Sequence, residues 1–344
     1  MDQNFYRQYV GSINGTIPVH CSITKIGEKL RASYYYDRHG IPITLTEGKL
    51  AKDGSFSFKE YGVFDQVGSI EALFKGNEIA GFWYNKDKSK ELLLTLQEDN
   101  STGQLPFDVF HEVKVEQLIQ GDTASPTHTF IQTLLYPSIN YQGAHKEAIY
   151  TLFDELFKEN LSAGNPYRTI ANMHQQALTS YREANLEIYQ EDPSFSSSMN
   201  WSEVAHMDVV YNSQNLLSIC QNWYNYTGGA HGNYGANYFV IDLAKGQKVM
   251  LKDVIKPQHH VDIAKMLQQK IWEQRNLAKG ETLKAAGFDT EEIKPTENFY
   301  LTHTGIGFYY SPYQIGPYAL GSVDVFLPFK ECQDFITAAY QVTP

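Results

Sequence analysis

The sequence predicts an α+β protein: an N-terminal antiparallel β-meander or small barrel, followed by a mixed α+β module whose largely antiparallel sheet is packed by helices. Three observations predict it. From Gly15 to about Leu96 the chain is a succession of short strand-like runs separated mostly by Gly, Asn, Asp or Lys turns. Amphipathic stretches at 3- and 4-residue spacing follow later in the chain. Strands and helices then mix without the strict rhythm of βαβ units.

The N-terminal runs lie at 16–24, 29–36, 41–45, 55–61, 70–74, 79–83 and 92–96. Alternation is clear in Ser55-Phe56-Ser57-Phe58-Lys59 and in Leu30-Arg31-Ala32-Ser33-Tyr34. Seven strands with turns such as Lys52-Asp53-Gly54 make a curled sheet or a small barrel. The polar stretch 97–107, with its Gly and Pro, marks a boundary, so 1–108 is expected to be a β-rich domain.

A strand at 127–135 opens the next part, and a helix at 146–161 carries Ile149, Leu152, Phe153, Leu156 and Phe157 as one buried stripe. Asn165-Pro166 supplies an N-cap and first-turn proline to a second helix with Ile170, Met173, Ala177, Leu178 and Tyr181 on one face. Strands at 203–211 and 215–224, joined at Asn212-Ser213-Gln214, come next. Further strands are expected at 238–243 and 248–251, and a helix with Ile263, Leu267 and Ile271 in register. The last strands fall near 298–303, 306–311 and 322–327, before a helix from Pro328 that carries Cys332, Phe335, Ile336 and Ala339.

A length of 344 residues exceeds one small core. The net charge of −11 argues against a nucleic-acid partner, which needs a positive face, and suits a basic protein as well as plain solubility. No apolar run is long enough to span a bilayer, and the start MDQNFYRQYVGSING lacks the apolar h-region of a signal peptide. Cys21, Cys220 and Cys332 are widely spaced, so buried free thiols are expected rather than a zinc site or redox pair.

The unusual segment is Tyr224-Asn225-Tyr226-Thr227-Gly228-Gly229-Ala230-His231-Gly232, between two strand-like runs. Its glycines allow positive φ and close backbone approach, and aromatic side chains beside bare backbone suit docking. His231 is a candidate base or ligand, with His206 and Asp208 on one face of a nearby strand. A second cluster, Phe308-Tyr309-Tyr310-Ser311-Pro312-Tyr313-Gln314-Ile315-Gly316-Pro317-Tyr318-Ala319-Leu320-Gly321, places Tyr313 and Tyr318 on a proline-stiffened loop, either as a contact surface or as a lid over the sheet. His259-His260 reads as a surface pair. No P-loop, GxGxxG, HExxH or GxSxG string occurs, and no residue is assigned a catalytic, metal or cofactor role.

Together, the GGAHG string and the FYYSPYQIGPYA string, in this order around a helix, resemble the extracytoplasmic module found in the lysozyme-sensing anti-sigma factor RsiV and the peptidoglycan deacetylase PdaC. The likeness spans about 109–344, with 109–225 as the leading half and 226–344 as the trailing half. It implies an α+β fold outside the cytoplasmic membrane, held by a lipid or membrane anchor absent from this chain. It implies binding rather than catalysis, since the deacetylase activity of PdaC-like proteins resides in a separate domain. The expected function is therefore non-catalytic recognition of a lysozyme-like basic protein or of cell-wall glycan. The expected contact residues are Tyr224, Tyr226, Thr227, Gly228, Gly229, His231, Tyr309, Pro312, Tyr313 and Tyr318. The alternative is an envelope hydrolase or deacetylase acting on cell-wall glycan through His231.

Overall fold

The computed structural model describes residues 3–61, 65–156, 165–278 and 280–340. Its first part is a closed antiparallel barrel of eight strands: β1 (Phe5–Ile13), β2 (Ile17–Ile26), β3 (Lys29–Tyr36), β4 (Ile43–Leu50), β5 (Ser55–Tyr61), β6 (Gln66–Lys75), β7 (Glu78–Asn85) and β8 (Glu91–Glu98). Alternation fills the interior: Phe56 and Phe58 of β5 point inward while Ser57 faces out, and Tyr9, Ile23 and Ile79 are buried with them. Glu60 also lies inside, where it accepts hydrogen bonds from the Tyr34 hydroxyl at 2.8 Å and the Trp83 indole N–H at 2.7 Å.

The eighth strand, β1, is absent from the strand runs read in the sequence. FYRQYVGSI carries Arg7 and Gln8 mid-run and has little alternation, yet it seals the barrel by pairing with β2 and β8. Gly11 permits that closure, because a Cβ there would lie only 2.0 Å from the Thr95 carbonyl oxygen.

The second part is a six-stranded sheet in the order β14-β13-β12-β11-β10-β9, formed by β9 (Phe107–Gln117), β10 (Thr127–Pro137), β11 (Trp201–Ser213), β12 (Leu216–Tyr226), β13 (Asn233–Asp242) and β14 (Gln247–Lys248). Only the β10–β11 pair is parallel, because the helices α1 (Lys146–Leu156) and α2 (Pro166–Glu191) form the crossover between them. Both helices pack on one face, where Ile149, Phe153 and Ile170 meet Leu134, Met207, Ile219 and Ile241. Asn165 caps α2, its side-chain oxygen accepting from the Arg168 N–H at 3.1 Å.

A three-stranded sheet, β15 (Phe299–Leu301), β16 (Gly305–Tyr310) and β17 (Val323–Pro328), packs with the short helix α3 (Leu251–Val254), with α4 (His260–Gln274) and with α5 (Phe329–Cys332). The helix stripe Ile263, Leu267 and Ile271 lies in this core as expected. The three cysteines are free and buried, and burial pushes the Cys21 and Cys332 thiols up to about 12.

The barrel docks on the second part through β3. Arg31 makes a two-pronged ion pair with Asp208 (2.9 and 2.6 Å), and the Ser33 hydroxyl donates to the Val209 carbonyl at 3.0 Å. The Tyr35 ring packs against Tyr211 and His303, and the Thr304 hydroxyl donates to the His39 carbonyl at 2.6 Å.

Several elements differ from the sequence reading. The hairpin between β11 and β12 turns at Gln214-Asn215, both with positive φ, and not at 212–214. The strand expected at 248–251 is two residues of β14 running into α3, since the Asp253 carboxylate accepts from the Met250 N–H and starts a helix there. The last helix is a single turn, and Ile336 instead bridges Ile255. His259 packs on Phe335 and the pair is half-buried, not surface. The tail of the 146–161 helix, with Phe157, lies outside the described residues.

Candidate functional site

The β12–β13 hairpin carries the Gly/Tyr segment. Tyr224 and Tyr226 sit at the end of β12, Thr227 to His231 form the tip, and Asn233 starts β13. Gly228 has φ +90°, and a Cβ there would come within 2.6 Å of the Ser198 carbonyl, so this position needs glycine twice over. The Tyr224 ring covers Gly232, where a Cβ would lie 2.4 Å from it. Gly229 is exposed.

The second aromatic loop meets this tip. The Tyr318 ring stacks on His231 with centroids 3.8 Å apart, and its hydroxyl donates to the Gly232 carbonyl at 2.7 Å. Tyr234 meets the Tyr318 ring edge-on at 5.7 Å, and Tyr313 lies against it at the same separation. Tyr313 is 58 % exposed and holds φ +71°, an uncommon conformation for a tyrosine, which presents its ring outward. The structure thus joins two segments far apart in sequence into one aromatic cluster.

Two of the expected contact residues do not reach the surface. Tyr309 is buried against Tyr238 beside Cys220, and Pro312 is buried as well, because β16 continues into the core before the loop lifts off at Tyr313. His231 has a backbone carbonyl, that of Gly232, at 2.9 Å from Nδ1 and a tyrosine ring as its neighbours. This is the environment of an imidazole that orders a loop. His206 and Asp208 turn elsewhere: His206 Nδ1 lies 2.9 Å from the Thr133 hydroxyl, and Asp208 holds Arg31 and Asn222. Burial and the Arg31 charge keep the His206 imidazole down at about 4. Among the described residues no group of three His, Cys, Asp or Glu side chains is arranged to hold a metal ion.

The register of the sheet adds residues that sequence reasoning missed. Val113 of β9 pairs with Ile131, Ile131 with Val204, Val204 with Tyr224 and Tyr224 with Tyr234. Side chains in such a row share a face, and alternation puts this one opposite the helices, which meet Phe130 and Leu134 instead. The row is therefore an apolar and aromatic stripe across five strands, with Val113 49 % and Tyr224 41 % exposed, ending at the His231–Tyr318 stack. Val115, one step along β9 on the same face, is 61 % exposed. The alternation of Val109, His111, Val113 and Val115 was the available signal, but partners in register cannot be read from one strand.

A closed barrel is thus docked on an α+β module whose open sheet face ends in the His231–Tyr318 aromatic cluster. Residues 126–234 match the family model of the deacetylase PdaC, and residues 252–330 match that of a protein family of unknown function, DUF3298. A DUF3298 family member from Bacteroides fragilis NCTC 9343 superimposes with a TM-score of 0.62 at 26 % identity, covering 70 % of this chain and 96 % of its own. A DUF3298 family protein from Pseudomonas aeruginosa PAO1, at 16 % identity, shares the fold with a TM-score of 0.52 over 70 % of this chain and all of its own. No curated protein matches the chain. The two matched stretches together make residues 126–330 similar to the PdaC and DUF3298 kind of cell-envelope-associated module of unknown function. Among the described residues no helix is long and apolar enough to cross a membrane.

Proposed function

We propose that the chain is a non-catalytic cell-envelope binding protein that grips a basic, lysozyme-like protein on the helix-free face of its six-stranded sheet. The observation that carries this reading is the Val113-Ile131-Val204-Tyr224-Tyr234 row running into the His231–Tyr318 stack. A broad apolar floor with rigid tyrosines at one end suits a protein surface, because such side chains lose little entropy on binding and give large contact area. The net charge of −11 favours a basic partner and speeds its encounter. Peptidoglycan fragments are the other ligand class the family resemblance suggests, but an aliphatic floor offers them few hydrogen bonds.

Titration of the full chain with lysozyme tests the reading. Binding that weakens with added salt, and that falls on Tyr313→Ala and by about 30-fold on Tyr224→Ala, is expected. Absence of binding at about 100 μM, or binding indifferent to both substitutions, overturns it.

A further inference from the structure

The opposite face of the same sheet has an opening of its own, independent of the protein-binding reading. Beside α2 lies a pocket of about 360 Å³ lined by Trp223, Gln132, Glu203, Asn225, Ser180 and Met173, among others. Register explains the gathering. Gln132, Ala205, Trp223 and Gly235 form one row across β10 to β13, and Phe130, Glu203 and Asn225 form the next, both on the face toward the helices.

Three features point to a ligand. Gly235 leaves bare backbone opposite Trp223, and a Cβ there would come within 2.7 Å of the indole, so the half-buried ring covers that strand and remains partly open to the pocket. Gln132 is 2 % exposed, yet its side-chain amide nitrogen has no hydrogen-bond partner. Buried amides are nearly always paired, so an orphaned one at the wall of a pocket is a donor waiting for an acceptor. Glu203 adds a carboxylate, 31 % exposed and steadied by His128 Nε2 at 3.1 Å.

The chemistry of the wall narrows the ligand. No Lys, Arg or His lines the pocket, so a phosphate or carboxylate would meet Glu203 with no compensating charge. A purely apolar ligand would bury Gln132, Glu203 and Asn225 without partners. A neutral ring with an apolar face and polar edges satisfies both constraints, and the volume sits near the lower end of ligand pockets, about 300 to 1,000 Å³, which fits a single ring.

We propose that this pocket is a subsite for one N-acetylated hexose ring. The sugar's C–H face rests on Trp223, the acetamido carbonyl accepts from the Gln132 amide, its methyl meets Met173, and the ring hydroxyls donate to Glu203 and bond Asn225.

Calorimetric titration of the full chain with triacetylchitotriose, cellotriose and the fully deacetylated trimer tests this, with a muropeptide as a fourth arm. The expected result is saturable sub-millimolar binding of the acetylated trimer, about tenfold weaker binding of the other two trimers, and at least tenfold loss on Trp223→Ala. Gln132→Leu should also weaken the acetylated trimer while leaving the melting temperature unchanged or raised, because it removes an unpaired buried amide. Tighter binding of the muropeptide than of chitotriose would assign the ring to cell-wall glycan, and the reverse to chitin-like glycan; either supports the subsite. No saturation by about 10 mM, equal binding of acetylated and deacetylated trimers, or unaltered binding by Gln132→Leu overturns it. Lysozyme titration of Trp223→Ala separates this site from the other face, whose affinity should not change.

Discussion

The barrel and the six-stranded sheet handle their surfaces differently. In the barrel, β1 returns to β8, so no edge strand is left and the inward residues fill the interior. The sheet instead ends at β9, whose Val113 and Val115 are exposed, and it is sealed on one face by α1 and α2. On its other face, β3 of the barrel covers the sheet at Asp208 and Val209, while the stripe from Val113 to Tyr234 stays partly open. A part that satisfies all its own surfaces acts as scaffold. A part that leaves an apolar row uncovered, with stiff tyrosines at its end, is where a partner gains most by binding.

The sharpest way to break this contrast is to damage each part and read stability and affinity separately. Phe58→Ala empties the barrel centre at a 2 % exposed position and should cost about 3–5 kcal/mol in denaturant melts. The affinity of the folded fraction for lysozyme should stay within about twofold. Tyr224→Ala should do the opposite, lowering affinity about 30-fold, or about 2 kcal/mol, with a stability change below about 1 kcal/mol.

The seam between the two parts should respond to pH in two opposing ways. His206 is held neutral in the fold, so the unfolded chain takes up its proton first, and this contribution to stability is present above pH 6.5 and lost as pH falls toward 4. His206→Gln should flatten the acid side of a Tm-against-pH curve. Asp324 faces the cavity between barrel and sheets, where the enclosing protein pushes its carboxyl up to about 7, the Tyr300 hydroxyl at 3.1 Å opposing that rise. Its contribution is complete below pH 3.8 and lost as pH rises through 7, so Asp324→Asn should raise Tm at pH 8 more than at pH 5. Asp324 is itself exposed to solvent at the cavity mouth, so the gain should be small. The smallest effect belongs to the β11–β12 turn: Gln214→Asn, better suited to φ 54°, should stabilise by about 0.5 kcal/mol with no change in binding.

Much of this architecture was legible locally. Alternation in 55–59 and 30–34 marked barrel strands, Asn165-Pro166 marked the start of α2, and the glycines around His231 marked a special hairpin. The misses have a common cause. β1 carries Arg7 and Gln8 and becomes a strand because β2 and β8 pair with it, and Tyr309 is buried because β16 lies in the middle of its sheet. The exposed Val113–Tyr234 row and the Trp223 pocket depend on registers between strands separated by helices, information that no single segment contains. The aromatic loops were visible as strings, whereas their stacking through His231 and Tyr318 was not.

The most direct measurement is a calorimetric titration of lysozyme into three proteins: the unaltered chain, Tyr224→Ala on the open sheet face, and Phe82→Ala, which removes an aromatic exposed on the barrel's outer wall. The account predicts saturable binding by the first, about 30-fold weaker binding by the second, and no change in the third. Equal loss in Tyr224→Ala and Phe82→Ala, or a loss in Phe82→Ala alone, would place the contact surface on the barrel and contradict it.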